Sequence, residues 1–312
     1  MKILLTGAAG QLGCELRPLL SAHGHVIATD RSSPKVVDRN WMGLDIGNAE
    51  GLEVLLNRVQ PDLIVNTAAY TAVDLAEADP DTSFRVNAAM PERLAAWAKH
   101  NEARLLHYST DYVFDGKASV PYLESDTPNP QNVYGESKLA GEAAILASGC
   151  KHVILRTSWV YSSHGKNFVL SMLELARKGL ALKIVNDQCG CPTWAHNLAQ
   201  TSDAVIKKWQ TPAFDDINGV FHYCDDKDVS WYEFALRIFS LAVDAGLLQK
   251  EPELTPIPSS QFPQPAERPK WSVLNTQMIA DVFAIQPASF EKSLRAVIGE
   301  IANQGNTRRD QR

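Results

Sequence analysis

The chain lacks most of the features that mark membrane, nucleic-acid-binding and disulfide-built proteins. It contains no run of about 20 apolar residues, so no helix spanning a bilayer is expected. It has no excess of basic charge: 30 Lys and Arg stand against 36 Asp and Glu, a formal net charge of −6. A nucleic-acid partner needs a concentrated basic face and is not expected. An anionic ligand must then be held by local groups, not by the overall field. Cysteine is sparse. Cys14, Cys150, Cys189, Cys191 and Cys224 are odd in number and irregular in spacing, which argues against a disulfide framework and for a reducing, cytoplasmic setting. Cys189 and Cys191 have no second Cys or His pair nearby, so no zinc site is read. The opening MKILLTGAAG is too short and too polar at its end for a signal peptide and reads as a buried strand. Internal repeats and low-complexity stretches are absent.

What is present is an ordinary globular composition, 45% hydrophobic and 21% charged over 312 residues, enough for a substantial core. The first half alternates short apolar runs with helical periodicity. Strands are predicted at 2–6, 25–29, 63–66, 104–109 and 152–156, and helices at 14–23, 51–60, 88–100 and 134–147. This alternation predicts an α/β fold with a Rossmann-type, doubly wound parallel sheet. The second half is richer in Pro and Trp. Loops are expected at 187–193 and 252–269, a Ser-capped helix at 230–245, and a frayed polar tail from Gln304. Residues 1–160, with part of 195–220 returning to them, are expected to form the dinucleotide-binding domain. Residues 161–312 are expected to form a smaller, interleaved substrate domain.

Four segments carry cofactor chemistry. Gly7-Ala8-Ala9-Gly10-Gln11-Leu12-Gly13 sits between a strand and a helix. There the first glycine makes a tight turn, the second lets backbone N–H groups approach a pyrophosphate, and the third lets the helix pack close to the strand. The helix N-terminus supplies positive potential without a basic residue. Asp30 ends the next strand about 20 residues on, where a carboxylate binds an adenosine ribose and favours NADH. Arg31 follows it and suits the 2′-phosphate of NADPH, or is a solvated charge. Both cofactors remain open. Asp45 and Ile46 offer an adenine ring one polar contact and one apolar face, unless Asp45 is a turn or cap residue. Ala68, Ala69 and Tyr70 end a strand with small side chains that admit a cofactor close to the backbone.

A fifth constellation carries the reaction. Tyr134 and Lys138 stand four apart on a predicted helix and share a face. A phenol is a poor acid at neutral pH, and a neighbouring ammonium makes it a better one. The Thr110 hydroxyl, at a strand end beside Asp111, is placed to hold a developing oxyanion.

With LLTGAAGQLG, IVNTAAYTAVD, STDYVFDG, NVYGESKLAGE, RTSWVYS, NDQCGCPT, SWYEFA and ERPKWSVL, the chain resembles the extended short-chain dehydrogenase/reductase family, from residue 3 to about residue 275. The subgroup it resembles reduces dTDP-linked 4-keto sugars. The resemblance implies NADPH- or NADH-dependent reduction of C4 of dTDP-6-deoxy-L-lyxo-4-hexulose, with a nucleotide sugar as partner and a homodimer as assembly. It implies that Tyr134 donates a proton to the C4 oxygen and that Lys138 tunes Tyr134 and binds the nicotinamide ribose. Thr110 completes the triad, and Asn87 holds a helix bend and a relay water. On the substrate side it implies Asp111, Trp159, Asn167 with Phe168, and a loop with Gln188, Pro192 and Thr193. Arg268 is implied as the cation for the substrate diphosphate. Trp159 as a core residue and Arg268 as a surface charge stay open. Ser162 stands where many members have Gly. Some members bind Mg²⁺ through glutamates, and Glu15 matches one such position. Within the same fold the alternatives are a nucleotide-sugar epimerase or dehydratase, and a non-catalytic regulatory subunit. Tyr112 stands where dehydratases carry the Glu that elimination requires, which counts against a dehydratase.

Overall fold

The computed structural model describes residues 1–31 and 38–310, leaving aside the side chains of 305–310. Its centre is a seven-stranded sheet. Six strands come in chain order from the first half: β1 (Lys2–Thr6), β2 (His25–Asp30), β3 (Trp41–Gly43), β4 (Leu63–Asn66), β5 (Arg104–Thr110) and β6 (Lys151–Thr157). The seventh, Gly219–His222, comes from the second half and pairs with β6. From that edge the order is seventh, β6, β5, β4, β1, β2, β3, and every pairing is parallel. The order reverses between β1 and β4, and at such a switch point ligands bind beyond the strand C-termini.

Both faces of the sheet are covered, and the strand alternation shows how. Ile3, Leu5 and Val65 face helices Gln11–Leu20 and Ala195–Trp209, in a core that includes Leu16, Leu198 and Trp209. Leu4, Ile64 and Leu105 face helices Ala49–Val59 and Met90–His100, packing on Leu52, Leu56 and Leu94. Helix Ala195–Trp209 therefore packs on the seven-stranded sheet although it lies late in the chain. A separate core gathers helices Phe168–Arg177, Trp231–Asp244 and Phe290–Asp310 around Phe234, Phe239 and Leu294. Among the described residues no helix is long and apolar enough to cross a membrane.

Most predicted boundaries fall within two residues, and the departures have local causes. The first helix begins at Gln11, three residues earlier than predicted, because the glycine loop leads straight into it with Gly10 as N-cap. The predicted helix at 88–100 is preceded by a π-helical turn, Arg85–Ala89, with Asn87 at its centre. The stretch expected as a loop at 252–269 contains the strand Leu254–Ile257, which pairs with Leu182–Val185 in a two-stranded sheet that tolerates Pro256 at an edge. The 187–193 loop likewise contains a two-residue strand, Cys189–Gly190, paired with Val229–Ser230. The final helix runs to Asp310 through the tail expected to fray, and Gln311 and Arg312 lie outside the described residues. Helix Trp231–Asp244 has a full capping box: the Ser230 hydroxyl accepts from Glu233 N while Glu233 accepts from Ser230 N.

Candidate active site

A cavity of about 350 Å³ opens at the C-terminal ends of β1, β2, β4 and β5. Gly7 turns there with φ +67°, and a Cβ on it would come within 2.6 Å of Ala68 N. Gly13 lies directly against the Gly7 carbonyl, so any side chain at 13 would push the helix off the strand. The Asp30 carboxylate braces this loop by accepting from Ala9 N at 3.1 Å. Every residue expected to touch the cofactor lies on the cavity wall except Gly13, which packs beneath it. Asp45 combines both of its readings: it lines the cavity, and its Oδ1 accepts from Gly47 N at 2.9 Å in a turn. The cap of the following helix is Asn48 instead.

The wall also holds residues that sequence reasoning missed. Arg85 lines it from the π-helical turn, tied by Nη2 to Thr82 Oγ1 at 2.9 Å. Only its position two residues before Asn87 in FRVNAA could have pointed to it. Thr29, Ser109 and Thr157 also line the cavity. Their buried hydroxyls lack a hydrogen-bond partner among the described residues, as expected of a wall built to meet a polar ligand. The glycine cradle, the helix N-terminus and these hydroxyls fit a dinucleotide.

Two of the residues expected to react share this cavity. Tyr134 and Lys138 line it from helix Val133–Ser148, whose N-cap Asn132 accepts from Gly135 N. Gly135 and Gly141 let that helix close on its surroundings, Gly141 against the Asn87 carbonyl. The Asn87 side chain clasps Tyr70, accepting from its N at 2.8 Å and donating to its O at 2.9 Å, and also donates to Ser137 Oγ. Burial pushes the Tyr134 phenol up to about 12, and a hydrogen bond with the Thr110 hydroxyl opposes that rise. The ammonium expected to ease Tyr134 is directed elsewhere here: Lys138 Nζ donates to the Tyr108 carbonyl oxygen at 2.6 Å. Burial also brings Lys138 down to about 8, against the pull of Glu142. Thr110 donates to Asp111 Oδ1 at 3.0 Å, and burial raises that carboxyl to about 6.

The expected substrate residues divide. Trp159 takes φ +46°, a strained backbone for an aromatic residue, and stacks on Trp231 with centroids 3.4 Å apart and planes 3° apart. Gly190 lies so close beneath the Trp159 ring that a Cβ would come within 2.7 Å of it. Asn167 is fully committed to structure. It caps helix Phe168–Arg177 through Leu170 N, and its amide donates to Gln11 Oε1 and to the Ser162 and His164 carbonyls. Ser162, in place of the frequent Gly, joins the same knot by donating to Gln11 Oε1. Arg268 is no free cation: it forms a fork with both oxygens of Asp74, at 3.0 and 2.9 Å, and hydrogen-bonds Tyr112. The Tyr112 ring meets Tyr134 edge-on at 5.8 Å, so Arg268 reaches Tyr134 through one intermediary. Glu15 is paired with His196 at 3.0 Å. Among the described residues no group of three or more His, Cys, Asp or Glu is gathered to hold a metal ion.

The family profile described as RmlD substrate binding domain matches residues 1–303. The chain belongs to the dTDP-4-dehydrorhamnose reductase family. It is 39% identical over 302 residues to the dTDP-4-dehydrorhamnose reductase of Escherichia coli K12, covering 96% of this chain and 98% of that one. Among solved structures it is similar to the dTDP-4-dehydrorhamnose reductase of Clostridium acetobutylicum, with 38% identity, a TM-score of 0.85, and 96% and 99% of the two chains covered. It is also similar to the Bacillus anthracis dTDP-4-dehydrorhamnose reductase solved with NADP, at 32% identity and a TM-score of 0.84 over 96% and 99% of the chains. For a member of this reductase family, the cavity and the Thr110–Tyr134–Lys138 grouping lie at the sheet end where the fold places ligands.

Proposed function

We propose that this chain reduces the C4 keto group of dTDP-6-deoxy-L-lyxo-4-hexulose (dTDP-4-dehydro-L-rhamnose) to give dTDP-L-rhamnose. The observation that carries this reading is the placement of Tyr134 and Lys138 on the wall of a cavity that begins at the glycine cradle. Bound NADPH or NADH supplies the hydride. The chain's own groups do the rest. Tyr134 gives its proton to the C4 oxygen, and Thr110 holds that oxygen as charge builds on it. Lys138 eases the departing proton and replaces it. Gly7, Gly10 and the N-terminus of the first helix hold the diphosphate, Gly13 letting that helix pack close, and Asp30 and Arg31 bind the adenosine ribose or its phosphate. On the substrate side, Asp111 and Trp159 meet the sugar, and Arg268 reaches the sugar diphosphate only by exchanging its Asp74 partner for it. Residues 1–160 with 195–222 form the cofactor half, and most of the remainder forms the substrate half. As family resemblance suggests, the working assembly is a homodimer, which light scattering checks.

Product identity tests the reaction. The 4-keto sugar is incubated with the protein and each cofactor, and the product is examined by NMR. dTDP-L-rhamnose is expected; recovery of the keto sugar or of a C4 epimer contradicts the reading. The same assay reads cofactor choice. Asp30→Ala should raise KM for NADH more than for NADPH, and an equal rise for both would show that the Asp30 carboxylate only braces the glycine loop.

A further inference from the structure

A buried hydrogen-bond chain runs behind the catalytic pair and has no part in the steps above. It starts on β1, where the Thr6 hydroxyl lies 2.6 Å from Asn66 Oδ1. Asn66 Nδ2 lies 2.9 Å from His107 Nδ1, and the far ring nitrogen, Nε2, lies 3.3 Å from Lys138 Nζ. The sheet register sets Thr6 opposite Asn66 and Asn66 opposite His107, so the chain crosses three neighbouring strands at one level. All four residues are at most 2% exposed.

Lys138 needs such company. A buried ammonium is costly unless its N–H groups find acceptors, and it has three. One goes to the Tyr108 carbonyl. The charged and titratable groups around it offer little more. Glu142, one turn along the same helix, is committed to Arg156 through both carboxylate oxygens. The Tyr108 phenol turns away to Ser202 Oγ at 2.7 Å, and burial holds the Tyr134 phenol protonated and neutral. Among the described residues, the second partner of Lys138 Nζ is His107 Nε2. Burial and the Lys138 charge hold it well below its ordinary value, so the ring is neutral and carries a single proton.

Where that proton sits is tied to the charge on Lys138. For Nε2 to accept from an ammonium, the proton must be on Nδ1, and Asn66 must meet it with its amide oxygen. The amide NH₂ then donates to Thr6, whose hydroxyl serves equally as donor or acceptor. With the amide nitrogen toward Nδ1 instead, the ring N–H faces Lys138, and only an uncharged amine accepts it. A half-turn of the Asn66 amide separates the two arrangements.

We propose that His107, set by Asn66 and Thr6, is a positioning residue of the reductase, its Nε2 accepting from the Lys138 ammonium so that the ammonium is aimed and stays charged at working pH. This rests on reading Lys138 as the group that tunes Tyr134, so the first test does not use activity. In ¹⁵N-labelled wild-type protein at neutral pH, NMR should find His107 protonated at Nδ1 and bare at Nε2, the signal being assigned by its loss in His107→Gln. A proton on Nε2 overturns the proposal whatever the reaction is. The second test reads the alkaline limb of kcat against pH. His107→Phe removes the acceptor and should move that limb about one pH unit lower, whereas His107→Gln keeps an acceptor and should restore most of the shift. An unmoved limb in His107→Phe that melts like wild type overturns the proposal, even if reduction itself is established.

Discussion

Burial is the dominant force on each reacting side chain. It drives Tyr134 up to about 12 and Lys138 down to about 8, so at neutral pH the phenol holds its proton and the amine is still mostly charged. The sign of the pH dependence follows. Lys138 loses its charge as pH rises through about 8, and kcat should fall on that side, with no matching loss from Tyr134 in the same range. A kcat profile flat from pH 7 to about 9.5 would remove Lys138 from the proton path. At this scale the sequence was informative about identity and poor about partners. That the glycine loop, Asp30, Tyr134 and Lys138 share one cavity was legible because strand-end position and i,i+4 spacing are local features. The pairing of Arg268 with Asp74, 194 positions away, was not. Nor was the commitment of Asn167, whose contacts with Gln11 join segments 156 residues apart.

Among the elements, helix Val133–Ser148 carries Tyr134 and Lys138, and a buried ion pair fixes it to the sheet. Arg156 on β6 meets Glu142 at 2.6 Å, with both side chains at most 4% exposed and the guanidinium over the Phe114 ring. Removing one partner strands the other charge out of water. Glu142→Ala should cost about 3–5 kcal/mol, read as a lower urea midpoint with an unchanged slope. A loss under about 1 kcal/mol would mean that water or a neighbour re-satisfies Arg156. Strands β1 and β4 and helix Trp231–Asp244 were legible from apolar runs and a Ser cap. The seventh strand was not. Gly219–His222 is four residues long, has no alternation, and becomes a strand because β6 offers it an edge. The π-helical turn at Asn87 was likewise invisible to periodicity, since one widened turn shifts the helical register without breaking it.

Across the whole molecule, Asp225 ties the start of helix Ala195–Trp209 toward the last helix. This buried carboxylate accepts from Asn197 Nδ2 at 3.0 Å and from Trp194 N at 3.3 Å at the start of helix Ala195–Trp209. The Asn197 amide continues to Ser293 on the last helix. Burial raises Asp225 to about 7. A carboxyl raised in the folded state stabilises fully below its unfolded value and loses that contribution as pH climbs to the folded one. The wild type should therefore lose stability between pH 4 and 7, and Asp225→Asn should flatten that loss. Parallel melting curves for the two proteins over this range would remove Asp225 as the cause.

The central claim is that this protein reduces a dTDP-linked 4-keto sugar with Tyr134 as its acid. The most direct test follows NAD(P)H absorbance with the sugar made in place by the upstream dehydratase and epimerase. Oxidation should require both protein and sugar, and Tyr134→Phe should slow it by about 10²–10⁴-fold while cofactor affinity stays nearly unchanged. No oxidation by a wild-type protein that still binds cofactor tightly, or full activity in Tyr134→Phe, would contradict it.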